Sequence, residues 1–353
     1  MLWLLAPASE CYSSLVDLFA LTRQLIDIES ITGNEARVGE FLHAQLSAVG
    51  YNVKRISVEG HRFNLFATLP EESAPRVVLS THMDVVPPFI PSREDQENIY
   101  GRGACDAKGI IAAQIAAAER LRKEKIFLGL LLLVGEERDS QGAKVANLHP
   151  QAHAHTGHRF LINGEPTDNR IAIASKGSLR VELTAKGKMA HSAYPELGES
   201  AIEKLVHALE RLLKMPLPAN PKIGPTTLNI GMIEGGRAPN VIPDYARAHL
   251  LYRLVGPSKE LRKHIVAAVA DLADPDFVLD IPFVELETLD GLPSMVAAFT
   301  TDIPALTNWG KPLLIGPGSI HVAHTEREYV SKKELTDAVE IYCSLVRRLL
   351  QSD

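Results

Sequence analysis

The run Ile126-Phe-Leu-Gly-Leu-Leu-Leu-Leu-Val134, followed at once by Gly135-Glu136-Glu137, decides how this chain reads. It is apolar throughout yet of strand length, well short of the roughly 18 residues that a membrane-spanning helix needs. A strand apolar on both faces belongs in a sheet covered above and below by helices. The flanking patterns supply both. Leu15, Leu18, Leu21, Leu25 and Ile28 recur at helical spacing, Val38, Phe41, Leu42 and Leu46 repeat the pattern up to Gly50, and Ile110 to Leu121 is an Ala-rich helix. Short stretches rich in β-branched and aromatic residues, at 51–56, 63–69, 76–81, 160–163 and 171–175, read as further strands of an α/β sheet domain.

From Gly177 the order changes to strand (179–185), helix (200–214), strand (226–234), strand (246–254), helix (258–272), strand (277–286). That βαββαβ order is ferredoxin-like. The remainder, a helix-like piece near 297–306, a strand at 312–315 and a terminal helix at 332–351, has too little apolar surface to fold alone. It is expected to return to the first sheet. The expected organisation is therefore a catalytic α/β domain made of 1–176 and 288–353, with 177–287 inserted as a second domain. A length of 353 residues suits about two domains.

Composition narrows the partners. With 37 Lys+Arg against 43 Asp+Glu and a formal net charge of −6, no strong positive field is available to hold a phosphate backbone, so nucleic acid is not expected. Cys11, Cys105 and Cys343 show no C-x-x-C spacing, which argues against a disulfide framework and a thiolate zinc site. The start, Met1 to Pro7, lacks a basic region and carries only a short apolar run, a poor export signal. A cytoplasmic protein without membrane contact is expected.

Five clusters carry the chemistry, each beside a strand end or a tight turn: Ser80-Thr-His82-Met-Asp84, Gly101-Arg-Gly-Ala-Cys-Asp106-Ala-Lys-Gly109, Gly135-Glu136-Glu137, Asn163-Gly-Glu165-Pro-Thr167, and Gly316-Pro-Gly-Ser-Ile-His321-Val-Ala-His324-Thr325. Alternation places His82 and Asp84 on one side of a strand, so that Asp84 can accept from one imidazole nitrogen while the other faces a metal. Adjacent acids on an extended segment point to opposite sides. One of Glu136 and Glu137 can then hold a metal while the other moves a proton. Two histidines and three carboxylates without cysteine suit hard-to-borderline divalent ions, zinc among them.

In this order the His-x-Asp, Gly-Arg-Gly-x-x-Asp-x-Lys-Gly, Gly-Glu-Glu, Glu-Pro-Thr and Ala-His-Thr-x-x-Glu-Tyr-Val segments resemble the M20 family of zinc peptidases and deacylases over nearly the whole chain. The resemblance implies a zinc-exopeptidase-like catalytic domain with an inserted lid that dimerises, and two Zn2+ ions, for which Co2+ can substitute. It implies Asp106 as the bridge, His82 with Glu165 on one zinc, Glu137 with His324 on the other, Glu136 as general base and Asp84 behind His82. From the lid it implies His191 and Asn240 at the oxyanion and Arg253 on a substrate carboxylate, with Lys176 at the hinge. The implied reaction is hydrolysis of an N-acyl amino acid amide by zinc-activated water, as in the acetylornithine and acetylcitrulline deacetylases that the Gly316–Tyr329 segment resembles. A dipeptidase, carboxypeptidase or succinyl-diaminopimelate desuccinylase is the alternative within the family, and a non-catalytic binding protein on the same fold the alternative outside it. Where many relatives carry a Gly-Gly-Thr-Ser-Asp segment, this chain has Ala298-Phe-Thr-Thr-Asp302, which leaves the acyl group and amine open.

Three features invite a different assignment. His149, His153, His155 and His158 form the densest histidine cluster, but they have no carboxylate partners and are expected in a solvated loop. His321 competes with His324 as the late ligand, and the motif aligns His324. Cys105, beside Asp106, is read as a small structural residue.

Overall fold

A computed structural model describes residues 17–152 and 157–351. The Met1 to Pro7 segment, Cys11, Leu15, His153 and His155 lie outside the described residues. The chain divides into two compact units, one formed by residues up to Ile171 with Leu289–Pro293 and those from Ala305 onward, the other by Ala172–Thr288 with Ser294–Pro304.

The first unit is built on a mixed sheet. Asp17 caps α1 (Leu18–Ile26) by accepting from the amides of Phe19 and Ala20 at 3.1 and 3.0 Å. After α2 (Ala36–Ala48) come β1 (Asn52–Glu59), β2 (Arg62–Thr68), β3 (Val77–His82), α3 (Lys108–Lys123), β4 (Gly129–Leu133), α4 (Gln141–Leu148) and β5 (Phe160–Asn163). The end of the chain returns as β6 (Lys311–Leu314) and α7 (Lys332–Gln351). Among the described residues the strand order is β1-β2-β4-β3-β5-β6, with β4, β3, β5 and β6 mutually parallel, β2 antiparallel to β4 and β1 antiparallel to β2.

The apolar run works as its pattern predicts. On β4, Leu130 and Leu132 belong to the core beneath α1, α2, α3 and α7, whereas Leu131 and Leu133 belong to a second core with α4 and Trp309. Each fully buried leucine contributes roughly 1.5–3 kcal/mol relative to exposure, and both faces need it.

Two expectations for this part of the chain are corrected. Residues 171–175 do not join the six-stranded sheet. The position beside β5 is taken by β6, and Ile171–Ser175 forms its own small sheet with Val284–Glu285 and Ser294–Ala297. The segment 297–306 holds a strand end and one 3₁₀ turn, Ile303–Ala305, in place of a helix. The adjacent β-branched Thr300 and Thr301 and the missing donor of Pro304 disfavour a helix there.

In the second unit the element order is β7 (Gly177–Lys186), α5 (Ala201–Lys214), β8 (Thr227–Gly235), β9 (Tyr245–Leu254), α6 (Ser258–Val269), β10 (Asp274–Ile281). The sheet is antiparallel in the order β8-β9-β7-β10. Alternate residues of β7 and β9, Leu179 to Ala185 and Ala246 to Leu254, pack on Leu205, Leu209 and Leu212 of α5 and Leu261, Ile265 and Val269 of α6. Pro282 ends the last strand earlier than the sequence pattern suggests. No described helix is long and apolar enough to cross a membrane.

Candidate metal centre

The four parallel strands of the first unit end on one edge of the sheet, where open α/β sheets bind ligands. His82 is the last residue of β3, Glu136 and Glu137 follow β4, Glu165 follows β5, and His324 lies in the loop after β6. Asp106 comes from the turn that starts α3. That turn needs its glycines. Gly103 has φ +88°, and a Cβ there would sit 2.8 Å from Lys108 Cδ. Gly318, at φ +82°, lets the β6 loop press on the same turn, since its Cβ would meet Cys105 Cβ at 2.4 Å.

Asp106 stands between two imidazoles. Its Oδ1 is 3.0 Å from His82 Nε2 and its Oδ2 is 3.2 Å from His324 Nε2. Glu137 lies 3.0 Å from His324 Nε2, and Glu165 Oε2 is 4.0 Å from His82 Nε2. His82, Asp106 and Glu137 each offer a ligand atom within 4.8 Å of the others. Two donors each ~2 Å from one ion lie at most ~4 Å apart, and the pair distances of 3.0 to 4.0 Å around His82 and His324 meet that limit, so this nitrogen and oxygen set fits divalent cations.

The electrostatics point the same way. The Asp106 and Glu137 carboxylates hold His324 up to about 10. Burial works against a charged His82, yet Asp106 and Asp84 raise it well above the usual imidazole range. Burial likewise opposes ionised Asp106, but both histidines hold its carboxyl below the ordinary value, while burial pushes Glu137 up. Without a cation the cluster gathers protons on its imidazoles, and a cation would replace that charge.

Asp84 does more than stand behind His82. His82 Nδ1 donates to the Asp84 main-chain carbonyl at 3.0 Å, with the carboxylate Oδ1 farther off at 3.6 Å. This leaves Nε2 to face Asp106. The buried Asp84 carboxylate accepts from the amides of Gly135 (2.9 Å), Glu136 (3.2 Å) and Glu137 (3.2 Å) and from Thr32 Oγ1 (2.9 Å). The two acids therefore sit in a turn gathered around Asp84, where the sequence reading assumed extended backbone.

The other residues singled out from sequence divide clearly. His321 is exposed, and His324, not His321, faces the acids. His324 has φ +64°, a left-handed conformation that a non-glycine residue adopts at a cost of about 1–3 kcal/mol. His158 is not in a solvated loop. It is buried, stacks on Trp309 at 5.1 Å and donates from Nδ1 to the Pro75 carbonyl at 2.6 Å, while His149 accepts from the Gln151 amide. Cys105 is buried with its thiol raised by burial.

Within the second unit, exposed His191 pairs with Val241 on a two-residue ladder, and the Asn240 carbonyl accepts from the Ser192 amide at 3.0 Å, so His191 and Asn240 are neighbours. Arg253 lies at the end of β9, half-buried, and its guanidinium makes no hydrogen bond or ion pair among the described residues. Lys176 spends its ammonium on the Pro225 carbonyl at 2.8 Å.

Sequence reasoning missed a buried ion pair beside the centre, Arg102 with Glu328, whose signal was present in the glycine-flanked Arg102 and in the Glu-Tyr that follows His324.

Residues 173–279 match the family model described as a peptidase dimerisation domain. A peptidase M20 domain-containing protein of Schizosaccharomyces pombe is 37% identical, the alignment covering 94% of this chain and 84% of that protein. A probable carboxypeptidase of Aspergillus clavatus is 40% identical over 95% of this chain and 83% of its own length. Among solved structures, a tripeptidase of Staphylococcus aureus superposes with a TM-score of 0.78 at 22% identity, covering 95% of this chain and all of that one, a likeness of fold.

Proposed function

Since this chain belongs to the M20 peptidase family, and so is a metallopeptidase or amidohydrolase, we propose that it acts as a carboxypeptidase or dipeptidase that removes a residue bearing a free α-carboxylate. The observation that carries the reading is Asp106, held between His82 and His324 at 3.0 and 3.2 Å with Glu137 and Glu165 on the outer sides. Asp106 would be shared, His82 and Glu165 would hold one divalent ion, and His324 and Glu137 the other, with Zn2+ the ion these donors suit and Co2+ a substitute. Such a pair supplies Lewis-acid polarisation of the scissile carbonyl and a more acidic water.

The chain's own groups supply the rest. Glu136, in the turn that Asp84 gathers, takes the water proton and returns it to the departing amine nitrogen. The Arg253 guanidinium, without a partner of its own among the described residues, is suited to a substrate carboxylate, which it can hold bidentately. His191 and Asn240 are the proposed oxyanion donors, and the match to a dimerisation domain supports a homodimer through this unit.

A second reading, hydrolysis of N-acyl amino acids in the manner of acetylornithine deacetylases, is favoured by the Gly316-Pro-Gly-Ser-Ile-x-x-Ala-His-Thr run and needs the same carboxylate contact. The test is a panel of N-blocked dipeptides, their C-terminal amides and N-acetyl amino acids, assayed with Zn2+ or Co2+. Cleavage of the free-acid dipeptides with loss on amidation supports the proposal. Preference for the acetyl amino acids selects the second reading, and equal cleavage of acids and amides removes the role of Arg253.

A further inference from the structure

Asp106 and His324 come from loops more than two hundred positions apart, yet both loops converge on one buried ion pair, Arg102 with Glu328, at 2.6 Å. Arg102 is 1% and Glu328 2% exposed. Glu328 Oε1 accepts from the main-chain amides of Cys105 and Asp106, each at 3.3 Å, so its carboxylate grips the backbone of the residue that faces both imidazoles. On the other side, Arg102 Nη1 donates to the Thr325 carbonyl, next to His324, at 3.1 Å, and Arg102 Nε donates to the Pro88 carbonyl at 3.3 Å. The Gly101 amide closes the lacing by donating to the Glu328 carbonyl at 3.1 Å. The pair thus ties the Asp106 turn directly to the segment that carries His324.

Stability alone is a poor reason for such a pair. Taking two charges out of water costs most of what their attraction returns, and apolar residues of similar volume often serve a fold as well. Placing a second carboxylate beside Asp106 adds repulsion, which Arg102 offsets. The contacts go to the two loops whose separation sets the distance between Asp106 Oδ2 and His324 Nε2. Both loops need outside support. His324 sits in the left-handed region, and the Asp106 turn is held open by Gly101 at φ +136° and Gly103.

We propose that Arg102 and Glu328 are positioning residues that hold Asp106 and His324 at ligand spacing, so that the cation on the His324 and Glu137 side depends on them more than the cation on the His82 and Glu165 side. The inference rests on the metal reading above. Neither residue touches the reacting atoms. Their effect is on how well the second cation is held, not on which substrate binds.

The test is calorimetric titration of Zn2+ into chelator-stripped full-length protein, comparing wild type with Glu328→Gln and Arg102→Lys, each checked by thermal unfolding in the metal-free state. The expected result is two binding events in wild type and, in the variants, a weaker event lowered roughly 10- to 100-fold while the tighter one changes little. If a single variant does not fold because it strands a buried charge, the double variant Arg102→Met with Glu328→Gln, which leaves an uncharged pair, replaces it and is expected to show the same selective loss. Folded variants that bind both cations as wild type does overturn the inference and leave the metal reading standing. A wild type that takes up no cation overturns the metal reading itself, and this inference with it.

Discussion

The two halves of the candidate metal centre are built differently. His82 ends a buried parallel strand, is 1% exposed, and has its ring fixed by a hydrogen bond to its own backbone two residues on. His324 sits in a long loop with a left-handed backbone, its side chain 48% exposed, and is held in place by the acids it faces. The first half is supported by the core of the sheet. The second depends on hydrogen bonds that link loops, and the difference predicts which half fails first.

Removing the proposed proton carrier, Glu136, breaks neither half and is expected to have the largest effect on turnover. Glu136→Gln lowers kcat by ~10²–10⁴ while the protein binds cation as before, measured by steady-state assay beside metal analysis. A parallel loss of cation would make Glu136 a ligand. Next is Asp84→Asn, which weakens the gathering of the 135–137 amides and the support of His82 together. Cation affinity is expected to fall roughly 10- to 100-fold at both positions, and a loss confined to one would show that Asp84 serves only that half.

The comparison itself is sharpened by His82→Ala against His324→Ala. Emptying the buried strand end creates a cavity and takes from Asp106 the buried one of its two imidazole partners, so His82→Ala is expected to cost about 1–3 kcal/mol of metal-free stability in chemical denaturation. His324→Ala removes an exposed side chain from a loop and is expected to leave stability near wild type while abolishing one cation event. Equal destabilisation by both would erase the distinction.

The smallest effect is in the pH dependence of the chelator-stripped protein. His324 is held at about 10 in the folded chain, above its unfolded value of about 6.5. A raised folded value means that its contribution to stability is fully present below about pH 6.5 and is lost as pH climbs toward about 10. Exposure to solvent keeps this contribution small. Thermal midpoints measured across that window should fall with pH without metal, and the fall should flatten when Zn2+ takes the place of the proton.

Much of this was legible in the chain. The run at 126–134 implied a two-faced sheet, and the position of His82, Glu137 and Glu165 at strand ends placed the candidate ligands on one edge, although the acids after β4 lie in a turn and not on extended backbone. What was not legible depended on partners remote in sequence. Residues 171–175 were displaced from the main sheet by a strand that arrives from 311–314, and His158 was buried by stacking on Trp309. The Asp84 contacts to three amides and the Arg102–Glu328 pair join segments about 50 and 226 positions apart, and no local period signals a hydrogen bond to a backbone amide.

The account stands on a shared Asp106 between two cation positions, and the most direct measurement is metal content against activity as chelator-stripped protein is titrated with Zn2+. The prediction is that activity rises with bound metal and saturates at about two ions per chain, one held on each side of Asp106. Full activity in protein carrying less than about half an ion per chain would contradict it.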